Sequence, residues 1–259
     1  MSDMIDLVTQ SPQMFRGGGI WEVILNIHTA VQGVGLGLLV LFFAIGVVKT
    51  CGSFAEMKRP EVVVKMFIRF ALARAAVVYG LELMLAVFAI AQGLVIRILE
   101  AAGMVGANYA MLPDEIREAI ESVGFLDRFF MWSITLLGSL LIFVLSIVMI
   151  MSVYGRFFKI YMFTAISPVP LASFGGEPSS NMGKSFIKSY VAVCLEGAII
   201  VLALVIFNAF ASSPPVVDVT AEAATQVWSY IGELAFNMLV LVGMVKMADR
   251  LTREMLGLA

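Results

Sequence analysis

Five apolar runs long enough to cross a bilayer leave this chain very few ways to fold. A helix needs roughly 20 mostly apolar residues to traverse a hydrocarbon core of about 30 Å. Ile24 to Val48, Ala75 to Ile96, Phe129 to Val153, Tyr190 to Ala211 and Val227 to Val245 all meet that requirement. The third is the clearest, with no charge from Phe129 to Gly155, whereas Glu82 and Glu233 interrupt the second and fifth. The pattern predicts an all-α membrane protein of five transmembrane helices with amphipathic interfacial helices, a single domain over 1–259. Composition agrees: 61% of residues belong to the apolar set and 14% are charged, where a soluble domain carries about a quarter charged.

The distribution of cations orients the chain. Of 17 Lys and Arg, all but Arg16, Arg97, Arg117 and Arg128 fall in the blocks Lys49 to Arg74, Arg156 to Lys188 and Lys246 to Arg253. Loops on the cytoplasmic side of a membrane are enriched in Lys and Arg. The N-terminus is therefore expected outside and the C-terminus inside, with loops 49–74 and 154–189 cytoplasmic. Loops 97–128 and 212–226, with Asp114, Glu115, Glu118 and Glu121, are expected outside. A net charge of −2 gives no support to a general nucleic-acid-binding face. Cys51 and Cys194 are expected as free thiols. The acidic start Met1-Ser-Asp-Met-Ile-Asp6 and the length of the first apolar run argue against a cleaved signal peptide.

Between the spans, Glu61 to Ile96 contains no proline and can form one helix of about 54 Å. Its first half sets Lys58, Glu61, Lys65 and Arg69 on one face, as in an interfacial helix, a cytoplasmic stalk or the snorkelling flank of the second span. The third span continues through Arg156-Phe-Phe-Lys159 until Ser167-Pro-Val-Pro-Leu171 breaks it, because Pro168 and Pro170 lack an N–H. The chain is then expected to return through Gly175 and Gly176 into the fourth span. Outside, Pro113 to Gly124 reads as a short amphipathic helix with Pro at its start and Gly at its end, and Ser212 to Asp218 as an extended loop.

Several residues invite a chemical role. Gly183-Lys184-Ser185 looks like part of a phosphate loop, but Pro178 occupies the position of the first Walker glycine, and no strand precedes it. Lys184 and Lys188 instead read as headgroup-level cations. His28 is the only histidine, which gives no basis for a metal site or a nucleophilic triad. With Gln32 one turn on, and Gly33 and Gly37 nearby, it reads as polar glue in a small-residue helix contact. Glu82, Glu196 and Glu233 lie inside spans, where a charge costs on the order of 3 kcal/mol and faces a bundle interior or water. Glu82, Ala86, Ala89 and Gly93 share one face, as do Tyr230, Glu233 and Asn237. These carboxyls either line a water-filled ion path or fix helix packing. Broken helices and charge pairs, usual in transporters, are not evident in the sequence.

Phe163-Thr-Ala-Ile-Ser-Pro-Val-Pro-Leu-Ala172, the Gly175-Gly176 turn, Gly183-Lys-Ser-Phe-Ile-Lys-Ser-Tyr190 and Leu195-Glu-Gly-Ala-Ile-Ile-Val201 carry a resemblance. This stretch resembles the TrbL-like polytopic inner-membrane components of conjugative type IV secretion systems, in the short branch found on Gram-positive conjugative elements. The motif residues are Ser167, Pro168, Pro170, Gly175, Gly176, Gly183 and Lys184. The resemblance implies a non-enzymatic channel or scaffold subunit in the bacterial cytoplasmic membrane, without a cofactor or catalytic residues. It also implies self-association, contacts with other membrane subunits and with separate cytoplasmic ATPases, and leaves contact with DNA or a protein substrate open. The large external domain and long hydrophilic tail of larger relatives have no counterpart here, and no role of theirs is expected. The competing reading is a stand-alone transporter or transporter subunit using the intramembrane carboxyls.

Overall fold

The computed structural model describes residues 7–50, 60–103, 125–210 and 223–258. Seven α-helices are described: α1 Gly19–Thr50, α2 Pro60–Val78, α3 Gly80–Ala101, α4 Phe125–Ile166, α5 Pro168–Ala172, α6 Ser180–Phe210 and α7 Ala223–Met255. Short 3-10 turns precede α1 at Phe15–Gly18 and follow α5 at Ser173–Gly175. No strand occurs among the described residues. The amphipathic helix expected over Pro113 to Gly124, the loop from Ser212 to Asp218, Lys58 and Cys51 lie outside them.

Five helices are long and apolar enough to cross a membrane: Gly19–Lys49, Gly80–Ala101, Thr135–Ile166, Ser180–Phe210 and Trp228–Met255. Each contains most of one apolar run of the sequence. α6 is the central one, with 67% of its most apolar window buried in the protein against 17–28% for the others. Helices whose apolar residues remain largely uncovered suit a lipid environment, where the outer face needs no polar coat.

Three apolar clusters run through the bundle. The largest joins α4, α6 and α7 through Val153, Phe157, Ile200, Leu204, Val245 and Ala248, and takes in Val8, Phe15 and Trp21 from the N-terminal segment. A second packs Met84 and Phe88 of α3 on Ile160 of α4 and on Tyr190 and Cys194 of α6. The third seats Leu39 of α1 and Ala73 and Val77 of α2 around Leu171 and Ala172. Cys194 is a buried free thiol.

Two sequence expectations are corrected here. Glu61 to Ile96 is not one helix: α2 ends at Val78 and α3 starts at Gly80, with Tyr79 at φ −97°, ψ 18° between them. The break contains no proline, and Gly80 lies where a Cβ would meet Leu171 Cδ1 at 2.9 Å and Ser167 Oγ at 3.9 Å. Close packing thus selects a glycine at the bend. Nor is α2 a free stalk, because it lies on α1 with the Phe43 and Phe70 rings 4.7 Å apart.

Candidate functional site

The distinctive local structure is a joint where two helix breaks meet under α1. Pro168 has no N–H, so the carbonyl of Thr164 four residues earlier loses its usual helical donor. The chain replaces it: His28 Nδ1 lies 2.9 Å from Thr164 O and Ser167 Oγ donates to the same oxygen at 3.0 Å. His28, 4% exposed, is thereby set in the tautomer with its proton on Nδ1. One turn along α1, Gln32 Nε2 donates to the carbonyls of Val77 at 3.3 Å and Val78 at 3.1 Å, the last two residues of α2. The two polar side chains of one helix face each satisfy the loose end of a different broken helix. Unsatisfied backbone groups cost several kcal/mol in hydrocarbon, so such a joint is stable only when filled in this way.

Close approach makes those bonds reachable. A Cβ on Gly35 would lie 2.7 Å from Pro168 O and 2.8 Å from Pro168 Cβ. Among the described residues nothing lies within 4 Å of the corresponding positions on Gly33 and Gly37, so the contact glycine is Gly35 and not the pair the sequence suggested. The break is also tighter than expected. Ser167 keeps helical angles (φ −51°, ψ −33°), and Pro168 and Pro170 lie inside the first turn of α5, where a missing N–H leaves no intrahelical bond unmade.

The remaining motif residues line the return to α6. Gly175 packs on Leu39 and Gly176 against the Phe42 carbonyl, both in α1. Gly183 lies in the first turn of α6 beneath the Phe174 ring, and Lys184 is exposed beside it. Gly183-Lys184-Ser185 is therefore a packed helical turn and not a phosphate-cradling loop.

Charge is concentrated where α4, α6 and α7 meet. Lys159 Nζ lies 2.8 Å from Asp249 Oδ1 and 3.4 Å from Oε2 of Glu196, which is 5% exposed. Asp249 Oδ2 accepts from Arg253 Nε at 3.2 Å. Arg156, one turn before Lys159 and 2% exposed, donates from Nη2 to Val8 O at 3.2 Å. Its guanidinium lies 5.2 Å from the Phe157 ring centroid and 6.0 Å from that of Phe88, while Nε and Nη1 have no hydrogen-bond partner among the described residues. The N-terminal segment closes this side: Tyr161 Oη donates to Pro12 O at 2.7 Å, and Phe15 stacks on Phe157 at 4.3 Å.

Arg156 and Lys159 thus lie on the helical continuation of the third span that the sequence indicated, Arg156 buried and Lys159 half-buried. Charge pairs, not evident in the sequence, are present at Lys159, and besides the expected break at Ser167 a second break occurs at Tyr79. The signal for the charge cluster lay in the proline-free run through Arg156-Phe-Phe-Lys159, which carries both cations on into the helix that packs on Glu196.

The three span carboxyls do not converge. Glu82 is exposed in the first turn of α3, and its stripe with Ala86, Ala89 and Gly93 faces away from the core, which lies on Met84, Phe88, Ala91 and Val95. Glu233 and Asn237 are half-buried on α7, and no ion pair reaches Glu233 among the described residues. Of the three, only Glu196 has an ion pair among the described residues. No group of three or more metal-ligating side chains occurs among the described residues.

Five apolar helices, a joint of two broken helices and an internal charge cluster define a polytopic α-helical membrane protein. Residues 1–168 match the family described as TrbL/VirB6 plasmid conjugal transfer like protein, and the chain belongs to that family. It is a membrane component of a conjugal transfer system. The match ends at Pro168, so it includes Phe163 to Pro168 of the motif stretch, while Gly175 to Lys184 lie beyond it. No curated protein and no solved structure matches the chain.

Proposed function

We propose that this chain is a non-enzymatic channel or scaffold subunit of the inner-membrane platform of a conjugal DNA-transfer machine. Family membership over residues 1–168 carries the reading. The packing supports a scaffold role: Glu196, the most buried of the span carboxyls, is held by Lys159 in a helix contact and is not linked to Glu82 or Glu233. The chain sits in the bacterial cytoplasmic membrane with its N-terminus outside and C-terminus inside. The blocks Lys49 to Arg74 and Lys246 to Arg253, together with Lys184 and Lys188, favour that orientation. It self-associates and contacts other membrane subunits, and cytoplasmic ATPases supply the energy.

The test is deletion with complementation in a conjugating host, scored as transfer frequency, together with gentle solubilisation and mass measurement of what co-purifies. Loss of transfer and co-purification of secretion subunits is expected. Normal transfer without the chain overturns the proposal. Single-cysteine labelling checks the orientation: Ser122 and Ser213 should react from outside intact cells and Ser180 only after permeabilisation. The broken helices and the Lys159 pairs also suit a transporter. Abolition of transfer by Glu82→Gln or Glu196→Gln, at normal protein level and with normal partners, would favour an ionisable relay.

A further inference from the structure

A cavity of about 680 Å³ opens between α1, α2 and the Ser173–Ser180 return to α6. That volume is typical of sites for small organic ligands. Lys65, Arg69 and Lys184 line it, and Glu177 is the single carboxylate among the described lining residues. Glu177 is held by Arg69 at 3.2 Å. Neither Lys65 nor Lys184 makes an ion pair among the described residues. The other walls are apolar, with Phe43, Val47, Met66 and Phe174 among them.

A net positive cavity with apolar walls fits an anion that carries hydrocarbon. Ile68 and Leu72 decide between a lipid and a free anion, since both line the cavity, are 54% and 66% exposed, and are continued along the same helix face by Val64, one turn before Ile68, which is 55% exposed and outside the lining. The cavity wall is therefore continuous with the apolar surface of α2. A phosphodiester can be held by the cations, as Lys and Arg both bind phosphate oxygens well, while its acyl chains run out along that surface. Basic pockets between membrane helices on the cytoplasmic side hold anionic headgroups in this manner.

We propose that this cavity binds the headgroup of an anionic phospholipid and anchors α2 and the Gly175-Gly176 return to the leaflet. The cytoplasmic leaflet follows from the orientation given under the proposed function, but the binding itself does not depend on a role in conjugation. Lys184, which fails as a nucleotide-binding lysine, here has a phosphate partner of another kind.

The measurement is native mass spectrometry of the purified full chain in detergent, with phosphatidylglycerol and phosphatidylethanolamine in equal amounts. Retention of phosphatidylglycerol is expected to dominate. Each of Lys65→Gln, Arg69→Gln and Lys184→Gln should weaken it by roughly fivefold, the usual effect of one basic charge at an anionic surface. Glu177→Gln should strengthen it, because that change frees Arg69 and raises the positive charge without removing a packing residue. Lys188→Gln, one turn further along α6 and outside the cavity, should leave it unchanged. Equal retention of the two lipids, no gain in Glu177→Gln, or a loss in Lys188→Gln as large as in Lys184→Gln would overturn the proposal. Displacement of the lipid by millimolar inorganic phosphate would also overturn it, by showing a site for the free anion. Unchanged lipid selectivity in a chain that fails in conjugation would leave this site standing and refute only the secretion role.

Discussion

Gly197 and Arg156 share one volume: a Cβ at position 197 would overlap the Arg156 guanidinium. The pair explains how an almost fully buried cation is held in a helix core where two of its nitrogens have no hydrogen-bond partner among the described residues. The guanidinium lies against α6 at Gly197, with the Phe157 and Phe88 rings nearby. A weakly hydrated, planar cation tolerates such a site better than an ammonium would.

Gly197→Ala should therefore destabilise the bundle by about 1–3 kcal/mol, the usual cost of overpacking. The thermal midpoint of purified protein in detergent reports it. In an Arg156→Met background the same glycine change should cost much less, because the flexible, uncharged side chain can yield. Equal costs in the two backgrounds would show that the two residues do not compete for space.

The Lys159 pairs have a definite sign. Lys159→Met leaves Glu196 buried and Asp249 nearby with no cation between them, which should cost about 1–3 kcal/mol. Adding Glu196→Gln should recover part of that loss, since it removes the uncompensated charge and keeps the size of the side chain. Glu196→Gln alone should lower transfer by no more than about tenfold, equivalent to 1.4 kcal/mol. Full additivity of the Lys159 and Glu196 changes would refute a direct pairing.

At the joint, His28→Ala should cost about 1–2 kcal/mol by leaving Thr164 O with a weaker donor set. Pro168→Ala restores a backbone N–H that can reach that oxygen, so His28→Ala should be nearly silent in its presence. A thermal-unfolding cycle over the two positions measures the coupling. Zero coupling would mean that His28 serves something other than the break.

The contact glycine can be told from its neighbours by substitution. Gly35→Ala places a methyl against Pro168 and should cost about 1–3 kcal/mol. Gly33→Ala and Gly37→Ala enter open space and should be neutral or mildly stabilising, because alanine is the better helix former. If all three behaved alike, α1 would not approach Pro168 closely.

Length and apolar continuity are properties of the chain itself, which is why Ile24 to Val48 or Phe129 to Gly155 could be read as spans without any neighbour in view. The missing N–H of Pro168 is likewise local, and it fixes a break near Ser167 in any fold. The break at Tyr79 has no such mark: it arises because Gly80 packs under Leu171, a residue ninety-one positions away. The same limit applies to charge. The cation count placed Arg156 and Lys159 in the stretch 154–189 and the proline-free run placed them on a helix, but only the packing of α4 on α6 and α7 set Lys159 between Glu196 and Asp249. Periodicity alone made Glu82, Glu196 and Glu233 equivalent, since each interrupts an apolar helix. Only tertiary structure separated them, because the cost of an intramembrane carboxyl depends on what faces it, and that is decided by the neighbouring helices. The sequence thus determined the membrane class, the five spans and the proline break, all set by local chemistry, while the partners of each polar group were decided by helix packing.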